Sequence, residues 1–81
     1  MNYSELHYIL CIAKHQNLTR AAQELYISQP TLTKHLQKLE REMGAKLFSR
    51  NGNTYVPTYT GRKYMEYARK ILQVKQDWEK N

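Results

Sequence analysis

The fold of this chain is decided by residues 17–44, which read NLTRAAQELYISQPTLTKHLQKLEREMG. Asn17 and Thr19 place side-chain oxygens just before Ala21, Ala22 and Leu25, and this pattern predicts a short helix that ends near Tyr26. A second, longer helix is expected to follow at once. Only about three residues connect the two helices, a length typical of a helix-turn-helix rather than of an antiparallel helical hairpin.

The longer helix is predicted over residues 29–43, with Ser28 as its N-cap. Pro30 is tolerated in the first turn, because the amides there have no acceptor within the helix. Gly44 supplies the left-handed residue that commonly ends a helix. The apolar residues recur at helical spacing and are expected to face the core. They are Leu32, Leu36, Leu39 and Met43.

An amphipathic helix is predicted before this stretch, over roughly residues 3–15, with Ser4 as its cap. Cys11 lies among apolar residues and is expected to be a small buried thiol rather than a reactive or metal-bound one. It is the only cysteine of the chain, so no internal disulfide can form. The apolar stripe consists of Leu6, Ile9, Leu10 and Ala13.

A two-stranded wing is predicted after Gly44, with strands at residues 46–50 and 55–57. They flank Asn51-Gly52-Asn53, and Asn-Gly is a strong hairpin signal because both residue types tolerate positive φ. Pro57 cannot donate a hydrogen bond to a strand ladder. The second strand is therefore expected to be short and to lie at an edge.

A fourth helix is predicted from a cap at Thr58 to about Lys80, and it carries two apolar stripes. One stripe can dock on the helix's own domain, and we expect the other to pair with a second copy in a C2 homodimer. The alternative is that both stripes cover the domain's own core. The stripe assigned to dimerisation is Tyr64, Tyr67, Ile71, Val74 and Trp78; the adjacent one is Met65, Ala68 and Leu72.

The 81-residue chain carries 13 Lys and Arg against 7 Asp and Glu, a formal charge of +6. This balance favours a polyanionic partner, either nucleic acid or an anionic membrane surface. No apolar run is long enough to span a membrane, and the N-terminus lacks a secretion-signal pattern. The expectation is a soluble cytoplasmic protein of one small domain with no membrane partner.

The chain carries the following motifs in fixed order: NLTRAAQEL (17–25), SQPTLTKHL (28–36), LE (39–40), Gly44, LFSR (47–50) and TYTG (58–61). Together they resemble the LysR-type transcriptional regulators, over residues 6–72. The resemblance implies a mainly α fold, in which residues 1–57 form a winged helix-turn-helix and residues 58–81 a linker helix that dimerises. It also implies a separate effector domain that senses a small molecule, so we expect the chain to be part of a longer regulator, although a naturally short protein stays open.

The resemblance implies that helix 29–43 enters the major groove of double-stranded DNA, while wing 46–57 meets the backbone or the minor groove. A glutamine can pair bidentately with adenine, a threonine methyl can touch a thymine methyl, and lysine reaches guanine or phosphate. Three positions depart from the family pattern: His35 replaces the usual Gln, Asn53 a common wing Arg, and Pro57 the usual Leu. The expected DNA-binding residues are Thr19, Arg20, Gln29, Pro30, Thr31, Thr33, Lys34, His35, Lys38, Arg50 and Asn53.

Other functions are weaker on the residues present. His7, His15 and His35 show no companion at metal-ligand spacing, so neither a metal site nor a cofactor is expected. No nucleophile has a histidine–carboxylate partner in the sequence pattern and no glycine-rich phosphate loop occurs, which argues against an enzyme. RNA binding lacks stacking aromatics on the basic face. A pure protein-interaction module remains the main alternative function. For Thr19 and Arg20, an ordinary cap remains the alternative to a phosphate contact.

Overall fold

The computed structural model describes residues 2–80, and its architecture is the predicted winged helix-turn-helix followed by a long helix. The elements in chain order are α1 (Tyr3–His15), α2 (Leu18–Leu25), α3 (Gln29–Met43), β1 (Phe48–Asn51), β2 (Thr54–Pro57) and α4 (Tyr59–Lys80). Within these residues, no helix combines the length and the hydrophobicity needed to cross a lipid bilayer.

The start of α1 differs from the prediction. Asn2 is the N-cap, and its side-chain oxygen accepts the Glu5 amide at 2.9 Å, whereas Ser4 lies inside the first turn. The predicted cap at Asn17 is confirmed, because its side chain accepts the Arg20 amide at 2.8 Å. Thr19 lies one residue inside α2.

The turn between α2 and α3 is as short as the sequence predicts. Tyr26 adopts a left-handed conformation with φ of 58°, and the Ile27 amide donates to the Ala22 carbonyl at 3.1 Å. Ser28 then caps α3 by accepting the Thr31 amide at 3.2 Å. Gly44 ends α3 with φ of 69°, as expected.

The core lies between α1, α2, α3 and the first half of α4. Met43 was expected to complete the apolar stripe of α3, but the structure leaves it 41% exposed because it falls in the last turn, beyond the packed part of the helix. The buried residues include Leu6, Ile9, Ile12, Ala21, Leu32, Leu36, Leu39, Leu47, Phe48, Met65 and Ala68.

The wing is an antiparallel hairpin in which Phe48 pairs with Pro57 and Asn51 with Thr54. Its loop is therefore the two residues Gly52 and Asn53, not the three predicted. Gly52 has φ of 64°, whereas Asn51 is not in the positive-φ region. Glycine with positive φ at the first loop position is typical of a type II′ turn rather than of the Asn-Gly type I′ turn expected.

The base of the wing is tied to both neighbouring helices. The Leu47 amide donates to Glu40 Oε2 at 2.7 Å, and the Tyr55 amide donates to the Gln16 carbonyl at 2.9 Å. Thr58 caps α4 by accepting the Gly61 amide at 3.0 Å, while its own hydroxyl donates to the Lys46 carbonyl at 2.6 Å. These bonds fix the wing beside α3.

Candidate nucleic-acid interface

The first two turns of α3 present an exposed polar surface whose side chains order one another. Gln29 Nε2 donates to Thr33 Oγ1 at 2.7 Å, and the Thr33 hydroxyl donates to the Gln29 carbonyl at 3.0 Å. The Ser28 hydroxyl donates to Thr31 Oγ1 at 2.8 Å. Pro30 is exposed beside them. The Gln29 bond uses one of the two amide N–H donors and leaves the amide's capacity for a bidentate contact.

A groove separates α3 from the wing and brings Thr33 and Arg50 to one surface. Gln37, which the sequence reading did not select, lines the same groove. Residues 29, 33 and 37 follow one another at intervals of four, so they lie along one side of the helix. That spacing is the signal that would have identified Gln37.

His35 is exposed but lies on another side of α3 from the wing groove, so its predicted DNA contact stays a prediction. Its ring centroid lies 5.0 Å from that of Tyr8, and the side chain borders a crevice shared with Ile12 of α1. The expected polar face combined residues that point in different directions, because Thr33 and His35 are two positions apart and so lie about 200° apart around the helix axis. His35 therefore faces α1, away from the wing groove.

Arg50 is held across the exposed face of the wing. Its guanidinium carbon lies 5.6 Å from the centre of the Tyr55 ring, its cross-strand partner, and Nε donates to the Gly52 carbonyl at 3.0 Å. The bond engages one of the five guanidinium N–H donors, and the side chain remains exposed. Asn53 is exposed in the hairpin loop.

Asn17 acts as an ordinary N-cap of α2, because its side chain accepts the hydrogen bond of the Arg20 amide. The side chains of Thr19 and Arg20 are exposed. Of the two interpretations left open for these residues, the structure supports the cap for the Arg20 amide, and a phosphate contact through Thr19 and Arg20 stays a prediction.

The exposed charges of this surface are positive, although the groove is also lined by the partly buried Glu40. Residues 17–23, 25–39 and 43–57 contain no Asp or Glu. Lys34 and Lys38 are exposed, and neither forms an ion pair within residues 2–80. Glu40 is the nearest carboxylate along α3, and its oxygens are occupied by the Leu47 amide and by Lys46 at 3.8 Å. This surface therefore attracts anions without a competing carboxylate at its centre.

The apolar stripe of α4 divides differently from the prediction. Tyr64 was assigned to dimerisation, yet its side chain is only 6% exposed and packs in the domain's own core. Burial raises the pKa of its hydroxyl to about 12, with the nearby Glu5 carboxylate adding to the effect. The hydroxyl oxygen has no hydrogen-bond partner among the described residues.

The remaining residues of that stripe are uncovered. Trp78 is 81% exposed, Val74 67%, Tyr67 59% and Ile71 37%. Tyr3 of α1 extends the stripe. The Lys75 ammonium lies over the face of the Tyr3 ring, 5.0 Å from the ring centre. Val74 and Trp78 lie beyond the last α4 residue that packs on the core, Leu72. The C-terminal turns of α4 thus display a contiguous apolar surface.

A second side-chain cluster lies at the other ends of α1 and α2. Cys11 Sγ, His15 Nε2 and a Glu24 carboxylate oxygen all lie within 4.8 Å of one another. The expectation that His15 has no companion at ligand spacing was wrong. Cys11 and His15 are one helical turn apart, and the turn into α2 brings Glu24 to them, a proximity that sequence distance conceals.

Comparison with known proteins gives one consistent family. The model of the family described as "Bacterial regulatory helix-turn-helix protein, lysR family" matches residues 3–62. The chain is 40% identical over 72 residues to the HTH-type transcriptional regulator CitR of Bacillus subtilis (strain 168), which covers 89% of this chain and 25% of CitR. It is 36% identical over 73 residues to the DNA-binding transcriptional dual regulator OxyR of Escherichia coli (strain K12), with 90% and 24% covered.

Solved structures agree with the fold. The DNA-binding domain of CbnR, in a crystal structure with DNA, superimposes with a TM-score of 0.91 at 31% identity, covering 99% of this chain and 92% of that one. The BenM DNA-binding domain in complex with benA site 1 DNA gives a TM-score of 0.92 at 31% identity, with 99% and 90% covered. The chain spans about a quarter of the length of the curated relatives it matches.

Proposed function

Because the chain belongs to the lysR family of bacterial regulatory helix-turn-helix proteins, we propose that it binds specific sequences of double-stranded DNA as a homodimer and thereby regulates transcription. The observation that carries the proposal is the exposed basic surface of α3 beside the wing, where the carboxylate that lines the groove, Glu40, is bonded to the Leu47 amide. An α-helix fits the major groove of B-DNA, and the N-terminal residues of a recognition helix contact base edges. The similar DNA-binding domains of CbnR and BenM have been crystallised in complex with DNA, which supports a DNA partner.

The proposed roles follow from the chemistry of each side chain. Gln29 reads adenine through its amide, the Thr31 methyl meets a thymine methyl, and Thr33 hydrogen-bonds a base edge. Lys34 and Lys38 bind guanine or phosphate. Pro30 packs against the sugar–phosphate backbone while it preorganises the first turn.

The flanking elements contact the backbone in this proposal. Arg50 binds phosphate or enters the minor groove, and Asn53 adds a neutral hydrogen bond from the tip of the wing. Arg20, with Thr19, contacts a phosphate at the start of α2. His35 is exposed and stays a candidate for a DNA contact, and its contact with Tyr8 supports an added role in setting the angle between α3 and α1.

The dimer is proposed to form through the exposed stripe of α4, with Tyr67, Ile71, Val74 and Trp78 facing the same residues of a second copy. Exposed apolar surface of this kind marks an interaction site, and a symmetric pairing covers both stripes at once. The residues from 58 onward then act as the linker to a separate small-molecule effector domain in a cytoplasmic regulator. Residues 1–57 form the DNA-reading domain, together with the core half of α4.

The proposal is tested by replacing cationic side chains of the proposed DNA-binding surface with neutral ones. DNA affinity of the wild type and of single variants Lys34→Gln, Lys38→Gln and Arg50→Gln is measured by fluorescence anisotropy over a series of salt concentrations. Each lost phosphate contact is expected to lower the slope of log affinity against log salt by about 0.9. The matched control is Arg69→Gln on α4, which removes one exposed charge away from this surface.

If all three variants keep the wild-type affinity and slope, DNA binding through this surface is rejected. A protein partner that survives the same three substitutions would then favour the interaction-module function.

A further inference from the structure

Cys11, His15 and Glu24 form a three-donor cluster that the DNA-binding surface does not use. Cys11 and His15 lie one turn apart on α1, and Glu24 lies in the last turn of α2. Cys11 Sγ is 3.2 Å from Glu24 Oε2, and His15 Nε2 is 3.0 Å from Glu24 Oε1. We propose that these three side chains bind one Zn²⁺ ion, which links the first helix of the domain to the helix-turn-helix.

The donor set and its spacing suit zinc. Thiolate, imidazole and carboxylate are its usual protein ligands, at Zn–S of about 2.3 Å and Zn–N and Zn–O of about 2.0–2.2 Å. In tetrahedral geometry these lengths put the ligand atoms about 3.3–3.6 Å apart. Cys11 and His15 approach the two different oxygens of the Glu24 carboxylate, at 3.2 and 3.0 Å. One donor atom from each residue lies within 4.8 Å of the other two, so side-chain rotations that shift these atoms by about an ångström bring all three onto one ion.

The cluster has a closed side and an open side. Cys11 is 4% exposed, and its thiol also lies 3.6 Å from the Ala21 carbonyl oxygen. The side chains of His15 and Glu24 are 24% and 44% exposed, so an ion can enter from solvent between them. Three protein ligands leave the fourth tetrahedral position to a water molecule.

The Lys14 ammonium already places a positive charge beside the Glu24 carboxylate of this cluster. It lies 2.8 Å from Glu24 Oε1, on a side chain that is 65% exposed and free to swing outward. A divalent cation that binds the Glu24 carboxylate replaces this ammonium as its partner.

Zinc binding releases a proton. A cysteine binds Zn²⁺ as its thiolate, so the S–H bond breaks as the Zn–S bond forms, and the proton passes to solvent. Affinity must accordingly rise with pH, and the ion favours the folded chain in which the three donors are assembled. The site is independent of the proposed DNA binding.

The test is a titration of the 81-residue chain with Co²⁺, a spectroscopic substitute for Zn²⁺, followed by displacement with Zn²⁺. The expected result is one ion per chain, a thiolate-to-cobalt charge-transfer band and the visible bands of a tetrahedral ion, all lost on adding Zn²⁺. At a free Zn²⁺ concentration about ten times Kd, Tm is expected to rise by about 5–10 °C. Absence of the charge-transfer band at saturating Co²⁺ overturns the proposal.

Variants assign the ligands. We expect Zn²⁺ binding to weaken at least about tenfold in each of the variants Cys11→Ser, His15→Gln and Glu24→Gln. Loss of a residue that only hydrogen-bonds to a metal ligand commonly costs about tenfold, so loss of a ligand itself should cost no less. The matched control His7→Gln, an exposed histidine on the same helix, is expected to bind as the wild type does. Equal loss in the control, or full binding by Cys11→Ser, overturns the assignment.

Lys14→Gln gives a test that leaves all three ligands in place. Because it removes the cation that competes for Glu24, it is expected to tighten Zn²⁺ binding severalfold. A weaker Zn²⁺ affinity in this variant contradicts the proposed arrangement of the three ligands. This conclusion holds even where a ligand variant fails to fold.

Discussion

At the scale of single residues, Gly61 shows how one missing side chain sets the position of a helix. A Cβ atom at Gly61 would lie 3.0 Å from the Leu47 carbonyl carbon and closer still to its oxygen. The same carbonyl accepts the Thr58 amide at 3.0 Å, so Leu47 cannot move away from Gly61 without breaking this hydrogen bond at the start of α4. The glycine thus allows α4 to begin directly against the wing.

Gly61→Ala is expected to destabilise the domain by more than about 2 kcal/mol, although helix propensity alone would favour alanine by about 1 kcal/mol. The control is Gly44→Ala, where nothing lies within 4 Å and only the left-handed backbone, with φ of 69°, is strained. That control is expected to cost about 1–2 kcal/mol. Urea unfolding measures both, and a Gly61→Ala variant as stable as the wild type would refute the close packing.

Tyr64 carries the clearest pH dependence. Its folded-state pKa of about 12 lies above the ordinary 10.0, so the protonated hydroxyl stabilises the fold below pH 10, and this contribution is lost as the pH rises through about 12. Tyr64→Phe also removes a buried hydroxyl without a partner among the described residues. We expect the variant to be more stable by about 1 kcal/mol at neutral pH.

The gain in Tm of Tyr64→Phe should widen above pH 10, as followed by thermal unfolding at a series of pH values. Tyr67→Phe is the control, because the Tyr67 side chain is 59% exposed. An unchanged or lower Tm for Tyr64→Phe, with no added advantage at alkaline pH, would contradict the burial of this hydroxyl in the core.

At the scale of elements, periodicity and caps predicted the four helices to within a residue or two. Local signals sufficed there, since the spacing of Leu32, Leu36 and Leu39 and the glycine at 44 act within one helix. Contacts between different elements were not predicted. His35 contacts Tyr8 of α1, and Glu24 meets Cys11 and His15, none of which helical spacing within a single element can reveal.

The two stripes of α4 illustrate the same limit. Heptad-like spacing groups Tyr64 with Val74, yet the domain's core ends midway along the helix, so one member is buried and the other exposed. Sequence indicates that a helix has two apolar stripes. How far along the helix the core extends is set by the packing of α1 and the wing against it.

Val74→Glu tests the proposed pairing of α4 helices. It introduces a carboxylate into the exposed stripe, and its burial without a partner is expected to weaken dimerisation at least about tenfold. Sedimentation equilibrium measures the effect. Tyr26→Asn is the control, because Tyr26 is a 95% exposed aromatic on the helix-turn-helix, in a left-handed conformation that asparagine tolerates. Equal dimerisation of Val74→Glu and wild type would exclude this stripe as the interface.

At the scale of the whole molecule, the basic surface of α3 and the wing and the apolar stripe of α4 lie on different elements, so one domain can pair with a second copy and still contact DNA. A two-fold dimer presents two recognition helices, and these match half-sites in successive major grooves about 34 Å apart or a multiple of that distance. The positive charge of the chain, +6, supplies the salt-dependent part of the affinity.

The most direct measurement is selection of binding sites from random duplex DNA by the wild type and by Gln29→Ala. The wild type is expected to recover two inverted half-sites separated by about one helical turn, 10–10.5 base pairs, or a multiple of it. The variant is expected to recover the same spacing, with the preference lost at one base pair in each half-site. Recovery of no enriched sequence, or of an identical motif by both proteins, would contradict the placement of α3 in the major groove.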